Sequence, residues 1–176
     1  MKKRKRKSIR LKEYDYSADG YYFVTISTAN GVTYFGNVKN GEMVLNEYGN
    51  IVNTQWVQLP QHYWNTKLDE YVIMPDHIHG IIIIDNNRAG YKPAPTHQHN
   101  VKKPYSLHEI IRGFKTFTSK NINTLNTTIL FRWQRSFYDR IIRNENELHK
   151  IRTYILKNPL NWELRPLILL LFMDLG

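Results

Sequence analysis

Two histidines, His77 and His79, flank a single isoleucine inside the run Tyr71-Val72-Ile73-Met74-Pro75-Asp76-His77-Ile78-His79-Gly80-Ile81-Ile82-Ile83-Ile84. Along an extended strand, residues i and i+2 project from one face, so both imidazoles point together while Ile78 turns into a core. Such a pair is a two-toothed clamp for a divalent cation. The plainer alternative is a pair of satisfied polar residues on a half-exposed sheet face. The chain has no cysteine, so any metal would be held by nitrogen and oxygen. A second pair, His97-Gln98-His99, has no apolar flanks to fix a strand and reads as a decoy.

Tyr154 and Asn158 stand four residues apart, one helical turn from each other. Asn158 can add an amide oxygen to the clamp if its helix crosses the histidine strand, leaving positions for water and a phosphate oxygen. Tyr154 would then stand beside the metal. A phenol with a pKa of about 10 is a poor nucleophile until its anion is favoured, which a nearby cation does. Attack on a phosphodiester stores the broken bond as a phosphotyrosine, so a strand can be cut and rejoined without ATP. Consistently, the chain has no Gly-rich phosphate loop. Each residue also has an ordinary alternative. Tyr154 can be a half-buried helix tyrosine bonded to backbone, and Asn158, just before Pro159, can be a helix-ending signal.

These groups need elements to hold them. Tyr21–Thr28 reads as a first strand, with Val32–Val38 pairing to it through an Asn30-Gly31 turn. A helix follows over about 46–63, weakened at Gly49 and Pro60. Leu68–Met74 and Ile78–Ile84 read as strands meeting at Pro75-Asp76. Ser106 and Glu109 have capping-box spacing and open a helix with the apolar face Leu107, Ile110, Ile111, Phe114, Phe117 and Ile122. Arg112, Lys115 and Lys120 leave that helix a basic side. Ile129–Ile142 is extended in character, and Asn144 caps a last helix ending before Pro159, with Leu148, Ile151 and Ile155 inside.

At 176 residues the chain has the size of one domain. Residues 1–12 form a basic arm, 13–165 a single catalytic domain with an exposed loop at 85–104, and 166–176 an apolar tail that packs on the domain or on a second copy in a homodimer. No apolar run reaches bilayer-spanning length and the N-terminus lacks a signal-peptide core, so a cytoplasmic location is expected. The net charge is +10, and eight of the 25 Lys and Arg residues fall within residues 1–12, which suits a polyanion. The alternative is a solubilising tail. Twelve tyrosines add stacking capacity for unpaired bases, although most such rings fill cores.

Several segments together resemble the HUH single-tyrosine transposases, in particular the REP-associated tyrosine transposases. They are Arg6-Lys7-Ser8-Ile9-Arg10-Leu11 with Tyr14-Asp15-Tyr16, then Tyr22-Phe23-Val24-Thr25-Ile26, Met74-Pro75-Asp76-His77-Ile78-His79, Arg112-Gly113-Phe114-Lys115, Trp133-Gln134-Arg135-Ser136-Phe137-Tyr138-Asp139, Ile141-Ile142-Arg143-Asn144 and Tyr154-Ile155-Leu156-Lys157-Asn158-Pro159. Each motif is weak alone; their order and spacing are specific, over residues 6 to 163.

The resemblance implies an α+β fold, a ferredoxin-like (RRM-like) antiparallel sheet with helices packed on it, the histidine pair on a central strand and the tyrosine on a following helix. It implies His77 and His79 as metal ligands, Asn158 as the third, Tyr154 as nucleophile, and Mg2+ or Mn2+ as cofactor. Insertion-sequence relatives more often carry Gln where Asn158 stands. The implied activity is cleavage and rejoining of single-stranded DNA near hairpins through a 5′-phosphotyrosine, in a cytoplasmic, nucleoid-associated protein. Lys3, Arg4, Arg6 and Arg10 of the arm, with Arg112, Lys115, Arg135 and Arg143, are the expected hairpin-binding cations. Trp133 and Phe137 are either core residues or base platforms. The rival readings are a catalytically silent hairpin-binding module, a nuclease using water in place of Tyr154, and a small interaction protein whose histidine pair is a remnant.

Overall fold

The structure, a computed structural model, describes residues 13–87, 103–125 and 130–164. The expectations for Lys3, Arg4, Arg6 and Arg10, for His97 and His99, and for the tail from 166 fall outside these residues. In chain order the elements are β1 (Gly20–Ser27), β2 (Gly36–Lys39), β3 (Glu42–Leu45), α1 (Glu47–Val57), α2 (Leu59–His62), β4 (Thr66–Ile73), β5 (His77–Ile84), α3 (Leu107–Leu125), β6 (Tyr138–Ile142) and α4 (Glu145–Leu156). The chain is helical again over residues 158–164. None of the described helices is long and apolar enough to cross a membrane.

Four strands form one antiparallel sheet in the order β4-β5-β1-β6. With one helical connection between β1 and β4 and another between β5 and β6, this is the βαββαβ ferredoxin-like arrangement. Strand alternation divides the apolar residues between two faces. Tyr22, Val24 and Ile26 of β1 join Ile78, Ile82 and Ile84 of β5 in a large core that includes Trp56 of α1 and Phe114 of α3. Phe23, Ile81 and Ile142 point to the other face and meet Leu148 and Ile155 of α4. Burial of each such aliphatic side chain stabilises by roughly 1.5–3 kcal/mol, so this smaller cluster is enough to dock one helix. The same alternation puts Thr25, His77 and His79 on the α4 face.

Gly80 continues β5 past the histidines, and a Cβ there would lie 2.4 Å from the Trp56 indole. The absent side chain lets α1 lie close on the central strand. The β4–β5 turn is pinned from outside, because the Pro75 carbonyl accepts from the Tyr34 and Phe35 amides and the Asp76 carbonyl from that of Thr28.

Those bonds explain one departure from the expected layout. Residues 32–38 do not pair with β1, whose two flanks are taken by β5 and β6; instead β2 pairs with β3 in a separate hairpin. The hairpin signal belongs to Asn40-Gly41, both at positive φ (54° and 74°), as a tight two-residue turn requires. The helix expected over 46–63 divides at Gln58 into α1 and α2. Gly49 does not weaken α1, because a Cβ there would lie 2.2 Å from the Phe35 carbonyl oxygen, and Pro60 sits in the first turn of α2, where its missing N–H costs little.

On α3 the capping box forms, with the Ser106 amide and hydroxyl both donating to the Glu109 carboxylate. Phe117 is not in the apolar stripe, being 51% exposed. Thr118 takes the buried place, and its hydroxyl accepts from the Trp133 indole at 2.8 Å. Trp133 is thereby a core residue. Extended structure in the segment after 129 is confined, among the described residues, to β6 and to one bridge between Trp133 and Thr28.

Candidate active site

His77 and His79 lie at the start of β5, opposite Ser27 and Thr25 of β1. Each ring is held through Nδ1. That of His79 is 2.8 Å from the Thr25 hydroxyl, and that of His77 is 2.5 Å from the Asp76 carboxylate. These anchors turn both Nε2 atoms inward, 3.0 Å apart. Two nitrogen lone pairs at that separation repel unless a proton or a cation lies between them. Adjacent ligands of an octahedral ion with bonds of about 2.1 Å stand about 3.0 Å apart, so the pair is spaced for such an ion. Nδ1 partners of this kind fix ring orientation in metal sites.

Tyr154 projects from α4 onto the same place. Its hydroxyl is 3.2 Å from His79 Nε2, and the residue is 45% exposed, so a large substrate can reach it. Phe23 stacks on His79 at 5.5 Å and meets the edge of Tyr154 at 6.1 Å, which walls the site on its inner side.

The position of α4 is fixed at both ends. Asn144 caps it by accepting from the Glu147 amide, and the Glu147 carboxylate accepts from the Arg143 amide and the Arg140 guanidinium. The Arg143 amide, with Arg140 beside it, holds the Glu147 carboxyl below its usual range. Near the other end Arg152 donates twice to Asp69 of β4, at 2.8 and 2.5 Å. Those bonds lower the Asp69 carboxyl against the opposing effect of its burial.

After Leu156 the helix breaks at Lys157, since Pro159 has no N–H to continue the ladder. Asn158 begins the next helical segment and is buried. Trp162, one turn on, lies 5.8 Å from the His77 ring, which brings this helical segment to the edge of the histidine pair. Among the described residues no three His, Asp or Glu side chains gather for a metal. A third protein ligand would be the Asn158 amide oxygen, and two imidazoles with one amide suit a borderline or hard divalent ion.

Among the described residues the expected cations are Arg112, Lys115, Arg135 and Arg143. Arg112 and Lys115 belong to α3, on the face of the sheet opposite α4. Lys115 is committed to structure, because its ammonium donates to the carbonyls of Gln134 and Ser136 and lies over the Phe137 ring. Phe137 packs half-buried against the large core. Arg135 is exposed in the loop before β6, and Arg143 is exposed at the end of β6. Sequence reading overlooks Thr25, Asp76 and the Asp69–Arg152 pair. Strand pairing with a threonine beside the histidine is the one signal that could have exposed the first.

No protein-family model matches the chain. An uncharacterized protein of Haemophilus influenzae is 37% identical over 163 residues, 90% of each chain. Among solved structures, a REP-associated tyrosine transposase bound to a REP hairpin superposes with a TM-score of 0.56 at 15% identity, over 88% of this chain and 74% of that one. A chain from Deinococcus radiodurans R1 overlaps more loosely, with a TM-score of 0.45 and 14% identity, over 88% of this chain and 95% of that one.

Proposed function

The chain belongs to one family with the Haemophilus influenzae protein and has the fold of the REP-associated tyrosine transposase, and from that premise we propose that it is an HUH single-tyrosine transposase that cuts and rejoins single-stranded DNA near hairpins. The observation that carries this reading is the placement of the Tyr154 hydroxyl 3.2 Å from His79 Nε2, which is itself 3.0 Å from His77 Nε2. A fold alone would not bring a phenol from α4 onto the histidines of β5. The REP hairpin bound by the solved transposase supports hairpin DNA as the partner.

In the proposed reaction the Tyr154 oxygen attacks a backbone phosphorus. A phosphorus–oxygen bond to Tyr154 forms, the bond to the 3′ oxygen breaks, and that oxygen leaves as a 3′-hydroxyl after taking a proton. The phenolic proton passes to solvent, which reaches the 45% exposed Tyr154, since imidazole nitrogens that held a metal would have no lone pair to accept it. Reversal by a 3′-hydroxyl of another strand transfers the DNA, and the phosphodiester energy is kept in the phosphotyrosine. His77, His79 and Asn158 would hold Mg2+ or Mn2+, which when bound supplies polarisation of the phosphate and stabilises the phenolate. Thr25 and Asp76 keep the imidazoles aimed, and Phe23 keeps water from the inner side of Tyr154.

The test is incubation of the full chain with Mg2+ or Mn2+ and end-labelled single-stranded hairpin oligonucleotides, followed by denaturing electrophoresis, with Tyr154→Phe in parallel. An adduct joining the protein to the 5′ phosphate of the downstream fragment, which requires metal and is absent in the variant, is expected. Cleavage that survives Tyr154→Phe without an adduct would assign the chemistry to water, and binding without cleavage would leave a hairpin-binding module.

A further inference from the structure

Strand β6 is an edge of the sheet, and its Tyr138 is paired in register with Thr25, which is itself paired with His79. Residues directly opposite in antiparallel strands share a face. His79, Thr25 and Tyr138 therefore form one row across the sheet on the α4 face. Two strand spacings, about 10 Å, separate the first from the last.

Tyr138 makes an edge contact with Phe23, with ring centroids 6.3 Å apart at 69°. Phe23 is the ring that also touches His79 and Tyr154. Tyr138 is 41% exposed. An aromatic ring so placed leaves a face to solvent within reach of the nucleophile. Arg140, two residues along on the same face, is 58% exposed at its side chain while paired with the Glu147 carboxylate at 2.6 Å, and Arg143 is exposed just past the end of the strand. Tyr138, Arg140, Arg143 and Glu147, together with Tyr16, Asp139 and Ile141, line an open cleft over the edge of the sheet. The surroundings thus offer an aromatic plane with guanidinium groups alongside, the pairing that binds a single strand through its bases and its phosphates.

We propose that Tyr138 is the platform on which one unpaired nucleobase stacks beside the cleaved phosphate. This rests on the function proposed above and adds a positioning residue to it. A base within a duplex has both faces covered, whereas an unpaired base has a face free for Tyr138. The residue therefore favours single-stranded over double-stranded DNA at the site and sets where along the strand Tyr154 attacks.

The inference is tested by binding in a Tyr154→Phe background, which prevents cleavage. Short fluorescently labelled single-stranded oligonucleotides carrying the cleavage site are compared with a series in which one base at a time is removed to leave an abasic sugar. Tyr138→Ala is expected to weaken binding roughly tenfold, with its salt dependence unchanged, and Tyr138→Trp to retain it. In the Tyr138-bearing protein an abasic sugar at one position should reproduce that loss, and with Tyr138→Ala it should cost nothing further. Unaltered binding by Tyr138→Ala, losses that add in full, or no binding of any single strand would each overturn the inference. Adduct formation with Tyr154 intact is scored separately. An adduct without any Tyr138 effect removes the platform and keeps the chemistry, and the stacking pattern without an adduct keeps the platform and removes the chemistry.

Discussion

Asp69 and Arg152 join β4 to α4 through two parallel hydrogen bonds, and Tyr154 stands two residues beyond the arginine on the same helix. The pair sits where the β4–β5 register shifts between Leu68 and Tyr71, and alternation from Leu68, which packs on the large core, puts Asp69 on the α4 face. Arg152→Met removes a charged, bidentate contact and leaves Asp69 partly buried without its partner. Because the guanidinium is 39% exposed, the expected cost in folding stability is about 1–2 kcal/mol, read by denaturant titration. The rate of adduct formation should fall further than stability alone explains, since the helix then holds Tyr154 less firmly against His79.

The same pair gives the protein a defined acid response. Arg152 lowers the Asp69 carboxyl, and the Arg143 amide lowers that of Glu147. A carboxyl depressed on folding contributes stability that is present above its unfolded pKa of about 4 and is lost as pH falls through the folded value. Stability should therefore decline as pH drops below about 4. Asp69→Asn should be less stable at neutral pH and lose less on acidification, as measured by thermal unfolding from neutral pH down to about pH 2. An unchanged acid slope would exclude Asp69 as a source.

Thr25 aims His79. Thr25→Val keeps the β-branched shape suited to β1 but removes the oxygen 2.8 Å from His79 Nδ1. Loss of such an Nδ1 partner typically lowers metal affinity or activity about 10–100-fold. Mn2+ titration followed by electron paramagnetic resonance should show that loss with folding intact, and Asp76→Asn should act in the same direction through His77. Equal Mn2+ affinity in both variants would mean that ring packing, Phe23 on His79 and Trp162 on His77, suffices to orient the imidazoles.

Why His77, His79 and Tyr154 are legible in sequence while their surroundings are not has a physical basis. The shared face of the histidines follows from the period of a strand, and the helix under Tyr154 follows from the Asn144 cap and the Leu148–Ile155 spacing. Both are local. The meeting of α4 with β5 spans 75 residues and depends on the Arg152–Asp69 contact, which no local pattern encodes. Asp76 would point away from His77 in a regular strand, yet it lies in the turn and can reach back. Phe117 has the spacing of a buried residue, but the Trp133 indole needs a hydrogen-bond acceptor inside, and Thr118 supplies it. The Asn30-Gly31 hairpin signal fails because β1 has no free edge.

Lys115 and the neighbouring arginines should separate in a charge-removal series. Lys115→Met deletes the ties to Gln134 and Ser136, so it should destabilise the fold by about 1 kcal/mol while changing the salt dependence of DNA binding little. Arg135→Gln and Arg143→Gln should leave stability within about 0.5 kcal/mol and each weaken binding alike for all sequences. For a single strand each lost phosphate contact should reduce the slope of log affinity against log salt by about 0.7. A full slope change for Lys115→Met would show that its ammonium leaves the carbonyls for DNA.

Gly80 shows how closely the site depends on the opposite face of its own strand. In Gly80→Ala the new methyl would meet the Trp56 indole at 2.4 Å and the Tyr71 Cβ at 3.1 Å, both inside the large core. Trp56 is fully buried against Phe114 and cannot withdraw without moving α1 or α3. Overpacking of this kind costs about 1–3 kcal/mol. Because His79 is the preceding residue, relief by a shift of β5 would also spread the two Nε2 atoms from their 3.0 Å separation. The variant should unfold at lower denaturant concentration and bind Mn2+ more weakly in its folded state, whereas Gly80→Ala combined with Trp56→Phe should recover part of both. Destabilisation without any change in Mn2+ affinity would show that the strand holds its histidines independently of the core behind it.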